Sequence, residues 1–144
     1  PARAGHPVPR RSFPRCEPRD PIRNWSPQIA VLVPCLNEEV AIPKVIADFR
    51  QHLPDALIFV YDNGSTDRTS EAARAAGAIV RREPLKGKGN VVRRMFADIE
   101  ADIYVLVDGD DTYDAASAPA LIQRLIEDSL DMVNGAREEK SEAA

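Results

Sequence analysis

Three short apolar runs each pass directly into a cluster of polar residues. Residues 29–33 (IAVLV) lead into 34–38 (PCLNE), residues 57–61 (LIFVY) into 62–67 (DNGSTD), and residues 103–107 (IYVLV) into 108–111 (DGDD). Between the runs, apolar residues recur at helical spacing. Ile42, Val45, Ile46, Phe49 and Leu53 follow the first run, and Val91, Val92, Met95, Phe96 and Ile99 precede the last. Strands alternating with helices predict an α/β fold, a mainly parallel sheet with helices on both faces and right-handed crossovers. The simplest strand order is 3-2-1-4, as in half of a doubly wound fold. Parallel strands bring their C-terminal ends to one rim, where open α/β sheets bind ligands. All three polar clusters then share that rim.

The punctuation between elements is legible. Pro34 ends the first strand, and Pro43 sits in the first turn of the following helix. Pro54 and Asp55 break the chain before the second strand. A helix from about Asp67 to Ala76 stops at Gly77 in a left-handed cap, and residues 78–81 form a third, shorter strand. Residues 103–107 are expected as a buried central strand. Leu121, Ile122, Leu125 and Ile126 then face the core from a last helix, and residues 131–135 begin a fifth strand.

Residues 1–27 read differently. Seven prolines and six arginines stand among few aliphatics, so the segment buries too little surface to offset its ordering entropy. It is expected as a disordered or extended arm, with residues 28–137 as the domain and 138–144 as a frayed tail. The net charge of -4 argues against a general nucleic-acid binder. No apolar run approaches the roughly 18 residues of a membrane span, and the start lacks the apolar core of a signal peptide. Cys16 and Cys35 lack metal or disulfide spacing and read as free thiols in a reducing compartment. The expected location is cytoplasmic, including the cytoplasmic face of a membrane; the basic arm reads first as a solubilising tail and second as a contact for acidic headgroups.

The rim carries the chemistry. Asp108 and Asp110, one residue apart in a turn, offer two hard oxygen ligands to one divalent cation, which can in turn hold a diphosphate. Lys86 and Lys88 flank Gly87 at the start of a helix, where backbone donors and the helix dipole also favour phosphate. Asp62 is placed to accept hydrogen bonds from a ribose or a base. Asp67 reads mainly as a cap, and Asn37 as fixing the turn after Pro34. Together these parts suit a nucleoside diphosphate.

Rival motifs fit less well. A dinucleotide fold needs GxGxxG after the first strand, and residues 34–38 contain no glycine. The Gly87-Lys88-Gly89-Asn90 stretch does not satisfy GxxxxGK[ST]. A phosphatase of the haloacid dehalogenase type is closer, because its apolar strand ending in DxDxT matches residues 107–112 with Asp108 as nucleophile. That motif normally opens its domain, whereas three strands precede it here.

IAVLVPCLNE at 29–38, DNGSTDRT at 62–69, GKG at 87–89 and VDGDD at 107–111 occur in this order. Together they resemble the family 2 glycosyltransferases of GT-A fold, particularly the dolichol-phosphate mannose synthase branch. The resemblance covers about residues 28–137 and implies the Rossmann-like nucleotide-binding half of that fold. It implies a nucleotide-diphosphate sugar donor, a Mg²⁺ or Mn²⁺ ion, and an acceptor such as a polyprenyl phosphate at a membrane surface or a saccharide of the cell envelope. Pro34, Leu36, Glu38 and Asp62 would border the nucleoside. Asp108 and Asp110 would bind ribose, diphosphate and metal, and Lys88 would assist at the phosphates. Arg137 resembles the arginine of a Gly-x-Arg on the acceptor side. Thr112 stands where the mannose synthase branch can carry a metal-binding Gln, and Asn63 replaces the second acid of the commoner Asp-Asp-Gly-Ser pattern.

No catalytic base is assigned, because in this family it lies largely after the acidic motif. Few residues follow Asp114, so the chain reads as a donor-binding half. The alternative function is a non-catalytic nucleotide- or metal-binding module. Sugar, acceptor and oligomeric state are left open by the sequence.

Overall fold

The structure is a computed structural model that describes residues 26–136. Four parallel strands form its sheet: β1 (Ile29–Cys35), β2 (Leu57–Asp62), β3 (Ile79–Arg82) and β4 (Ile103–Leu106). Their order is β3-β2-β1-β4, as the alternating pattern predicts. The helices are α1 (Ile42–His52), α2 (Thr69–Ala75), α3 (Lys88–Asp98) and α4 (Ala118–Glu127), with a 3₁₀ turn at Ala115–Ser117 before α4. Most of the arm at 1–27, Cys16, Arg137 and the tail lie outside the described residues.

Side chains alternate across the sheet, so each face has its own core. Val31, Val33, Ile58 and Val60 pack with Ile42, Val45, Ile46 and Phe49 of α1 and with Ala73 of α2. Ala30, Leu32, Phe59 and Tyr61 pack on the other face with Val91, Met95 and Ile99. Helices therefore cover both faces. Gly77 ends the α2 segment at φ +91°, the left-handed conformation that only glycine adopts without strain.

Several expectations need correction. Pro34 does not end β1, which pairs on through Pro34↔Tyr61 and Cys35↔Asp62. The Cys35 carbonyl accepts from Asn63 N on the β2 side and the Leu32 carbonyl from Val107 N on the β4 side. Pro34, two residues on from Leu32, turns its missing N–H toward β4, beyond the last β1–β4 pair at Leu32↔Leu106, so no ladder bond is lost.

Among the described residues, the strand at 103–106 stands at an edge and not in the centre as expected. It pairs there with β1 alone, and Leu106 is 45% exposed. Residues 131–135 form no strand beside it. Phe96 is 49% exposed and rests edge-on against Tyr104, with ring centroids 5.1 Å apart. In α4, Ala118 is buried and Ile122 packs on the core, but Leu121 and Leu125 are only half-buried and Ile126 is exposed. A strand with one partner leaves the elements around it with less to pack against, which accounts for the exposure of Phe96 and Ile126.

Candidate functional site

The ends of β1, β2 and β4 meet on one rim, where the loops after β1 and β2 are knitted together. Asn37, at φ +57°, accepts from Thr66 N at 2.8 Å through its side chain, while its backbone N–H donates to Ser65 Oγ at 2.9 Å. Glu38 N donates to the Thr69 hydroxyl at 2.8 Å. Asp67 accepts from Thr69 N at 3.0 Å and from Glu39 N at 3.2 Å. Asp67 thus closes the turn that leads into α2, one residue before the Arg68 cap position, whereas Asn37, expected to fix its own turn, ties that turn to the loop after β2.

Asp62 is only 3% exposed, and its carboxylate accepts from Ser65 N at 2.8 Å and Ser70 Oγ at 2.6 Å. Burial works to raise its pKa, but the hydrogen bonds from Ser70 and Ser65 and the positive charge of Arg82 prevail, holding the carboxyl below its ordinary value. A depressed folded pKa adds stability that is fully present above the unfolded value of about 3.9 and is lost as pH falls through the folded value. Urea melts of the wild type and Asp62→Asn should therefore differ by a constant amount at pH 5–7 and converge below about pH 4. A gap independent of pH down to acid unfolding would show that the Asp62 charge adds nothing.

In the sequence Asn63 is a departure from a commoner acid, yet in the fold it organises the basic turn. It is 7% exposed. Its amide nitrogen donates to the Glu83 carbonyl at 2.9 Å and the Leu85 carbonyl at 2.8 Å, and its oxygen accepts from Gly87 N at 2.8 Å. These bonds fold the segment before α3 over the end of β2. Gly87, at φ +121°, then delivers Lys88 as the first residue of α3. The result is a groove of about 240 Å³ between Pro34, Cys35 and Leu36 on one side and Lys86, Gly87 and Lys88 on the other. Asn63 and Val91 complete its lining. No sequence signal separated Asn63 from an ordinary turn asparagine, because its three partners lie about 20 residues away.

The acid turn stands beside this groove. A Cβ at Gly109 would lie 2.5 Å from the Cys35 sulfur, so only glycine lets the turn descend onto the end of β1. Desolvation, and then Glu38, Asp62, Asp108 and Asp67, push the Cys35 thiol up to about 12, making it packing material and no nucleophile. Lys88 Nζ pairs with Asp108 Oδ1. Lys44 of α1 reaches Asp111 at 2.9 Å and so supports that residue at its φ of +59°. Asp110 accepts from the Thr112 hydroxyl at 2.6 Å. Glu38 has its pKa raised by desolvation and then by Asp110, Asp67 and Asp108, so it lies in the field of the same acids.

Among the described residues, no three His, Cys, Asp or Glu side chains converge to hold a metal by themselves. That is compatible with a Mg²⁺-like site, in which one or two carboxylates and the oxygens of a bound phosphate share the ion. Asp108 and Asp110 supply hard donors of that kind, and the groove beside them leaves room for the phosphate. Pro34, Leu36, Lys88 and Asp108 are thus brought together, Glu38 and Asp110 stand next to them, and Asp62 lies behind with its carboxylate turned into its own loop.

The model of glycosyl transferase family 2 matches residues 30–143. Protein RfbJ of Shigella flexneri is 60% identical over 114 residues, which are 79% of this chain and 88% of that protein. A dolichyl-phosphate hexose transferase of Haloferax volcanii is 36% identical over 109 residues, 76% of this chain and 47% of that protein. The crystal structure of glucosyl-3-phosphoglycerate synthase from Mycobacterium tuberculosis with Mn²⁺, UDP-glucose and phosphoglyceric acid superposes with a TM-score of 0.61 at 33% identity. That match covers 69% of this chain and 39% of the synthase. The chain therefore spans most of RfbJ but less than half of the other two proteins.

Proposed function

This chain belongs to glycosyl transferase family 2, and from that premise we propose that it binds a nucleotide-diphosphate sugar and a divalent cation for transfer of the sugar to an acceptor. The observation that carries the proposal is the meeting at one rim of the groove from Pro34 to Lys88 with the acid turn at Asp108 and Asp110. Pro34 and Leu36 give the nucleoside an apolar wall, with Glu38 bordering it and Asp62 behind, stiffening the loop. Lys86 and Lys88 lie where the diphosphate would run toward the acids. Asp108 and Asp110 are the residues that would hold Mg²⁺ or Mn²⁺. When bound, the cation offsets the negative charge that grows on the departing nucleoside diphosphate.

For the acceptor we propose a polyprenyl phosphate. It is supported by the name of the Haloferax relative and by the chemistry: a phosphate oxygen is already anionic and needs no strong base to attack the anomeric carbon. Arg137, outside the described residues, is proposed on the acceptor side. Among the described residues, no helix is long and apolar enough to cross a membrane.

The test is a calorimetric binding screen of UDP-, GDP- and dTDP-sugars with and without Mn²⁺. One of them should bind with affinity that depends on the cation. Asp110→Ala deletes a direct ligand, so it should weaken that binding by at least the roughly tenfold that losing a partner behind a metal ligand costs, without unfolding the domain. Its rim position makes the change structurally mild. Unchanged affinity in Asp110→Ala would remove Asp110 from the metal site, and no cation-dependent binding of any donor would remove the function.

A further inference from the structure

The basic turn and the acid turn meet in an ion pair. Lys88, the first residue of α3, sets its ammonium on Asp108 Oδ1, one of the oxygens on offer to the divalent cation. We propose that Lys88 stands in for the divalent cation at Asp108 when no nucleotide is bound, and so makes cation binding conditional on the nucleotide. The inference rests on the functional reading above and assigns Lys88 a role distinct from simple phosphate contact.

An ammonium and a divalent cation held on one carboxylate repel each other. A cation arriving alone must either displace the ammonium from Asp108 or lie close beside it, with only two turn carboxylates in return. A nucleoside diphosphate changes the exchange. Lys88 lines the same groove as Lys86 and Gly87, so a diphosphate seated there offers the ammonium a second anion within reach of its four-carbon stem. The ammonium turns to the phosphate, Asp108 is released, and the diphosphate adds its own oxygens to the cation's ligands. Nucleotide and cation then favour each other's binding by the same factor, as linkage requires.

Lys86 provides the control. It lies in the same turn and lines the same groove, but among the described residues it is Lys88 that pairs with Asp108. Lys86→Gln removes the same charge from the same place while leaving the Lys88–Asp108 pair intact. The Lys88 side chain is 60% exposed, so Lys88→Gln leaves the packing of the fold alone.

The experiment is titration of Mn²⁺ followed by electron paramagnetic resonance, with and without saturating nucleoside diphosphate, on wild type, Lys88→Gln and Lys86→Gln. Wild type should bind Mn²⁺ weakly alone and much more tightly with the nucleotide. Lys88→Gln should bind Mn²⁺ alone about fivefold or more tightly than wild type, and the gain from nucleotide should shrink by at least that factor. Lys86→Gln should change the affinity for Mn²⁺ alone less than about twofold, because bulk charge in the turn is screened by solvent. Mn²⁺ affinity unchanged or weakened in Lys88→Gln overturns the inference while leaving the functional reading in place. An equal rise in Lys86→Gln also overturns it, since general charge would then explain the effect. If wild type binds no Mn²⁺ even with nucleotide, the functional reading falls, and this inference falls with it.

Discussion

Gly109→Ala should cost more cation-dependent nucleotide binding than Asp110→Ala does, and the loss should be largely restored by Cys35→Ala in the same chain. The reason is steric. The new methyl group would meet the Cys35 sulfur at 2.5 Å, a separation at which something must move. The next nearest atoms, Glu38 Cγ and Ile42 Cδ1, stand at 3.5 Å, so the sulfur is the single obstacle. Cys35 is the last residue of β1 and is paired to Asp62, so the strand resists the push. The acid turn follows a strand that pairs on one side among the described residues, so it should be the part that gives. Both Asp108 and Asp110 would then be lifted from their places, whereas Asp110→Ala removes only one of them. Overpacking of this kind also costs about 1–3 kcal/mol of stability. Removing the sulfur should return most of both losses, with a coupling of about 0.5–3 kcal/mol between the two sites. Chemical denaturation and calorimetric titration of the four proteins in this cycle check it. Single effects that simply add would mean that the two residues do not press on each other.

Asn63→Ala should be the most destabilising substitution on the rim, at about 2–4 kcal/mol, and should abolish the groove. The side chain is buried and makes three hydrogen bonds, to the Glu83 and Leu85 carbonyls and from Gly87 N. Alanine leaves those three backbone groups without their partner. A buried group left unsatisfied costs about 1–3 kcal/mol, and water entering the opened turn should recover part of the total. Binding should fall with stability, because the wall from Lys86 to Lys88 is positioned by these bonds and by little else from β2. Hydrogen exchange should show faster exchange at Gly87 N in the variant, while the amides of β1 keep their protection relative to global unfolding. Native-like protection at Gly87 would mean that the turn is fixed by the chain that follows it.

The sequence by itself determined the architecture. Apolar runs that switch from a period of two or none to a period near 3.6, with Pro and Gly between them, leave a parallel α/β sheet as the way to bury both kinds of element. Once the strands are parallel, the polar residues after each of them share a rim, so Glu38, Asp108 and Asp110 are legible as neighbours from the sequence pattern alone. The local roles of Asp67 and Gly77 were legible too, because turns and caps depend on residues two or three apart, whereas the bonds of Asn37 reach the loop after β2. The position of the strand at 103–106 in the sheet was not. An apolar run looks the same with one partner as with two, so its edge place, and the exposure of Leu106 and Phe96, follow only from which strands pair. Pro34 was misread for a related reason: whether a missing N–H matters depends on which neighbour it faces. The contacts that shape the site were decided by tertiary structure alone. Asn63 finds its partners 20 to 24 residues away, Lys88 finds Asp108 at 20, and Gly109 meets Cys35 across 74 positions. Nothing in the composition of a turn records what the fold will set against it. Periodicity encodes burial along one element, whereas steric fit and ion pairing between elements exist only after the sheet has brought their ends together.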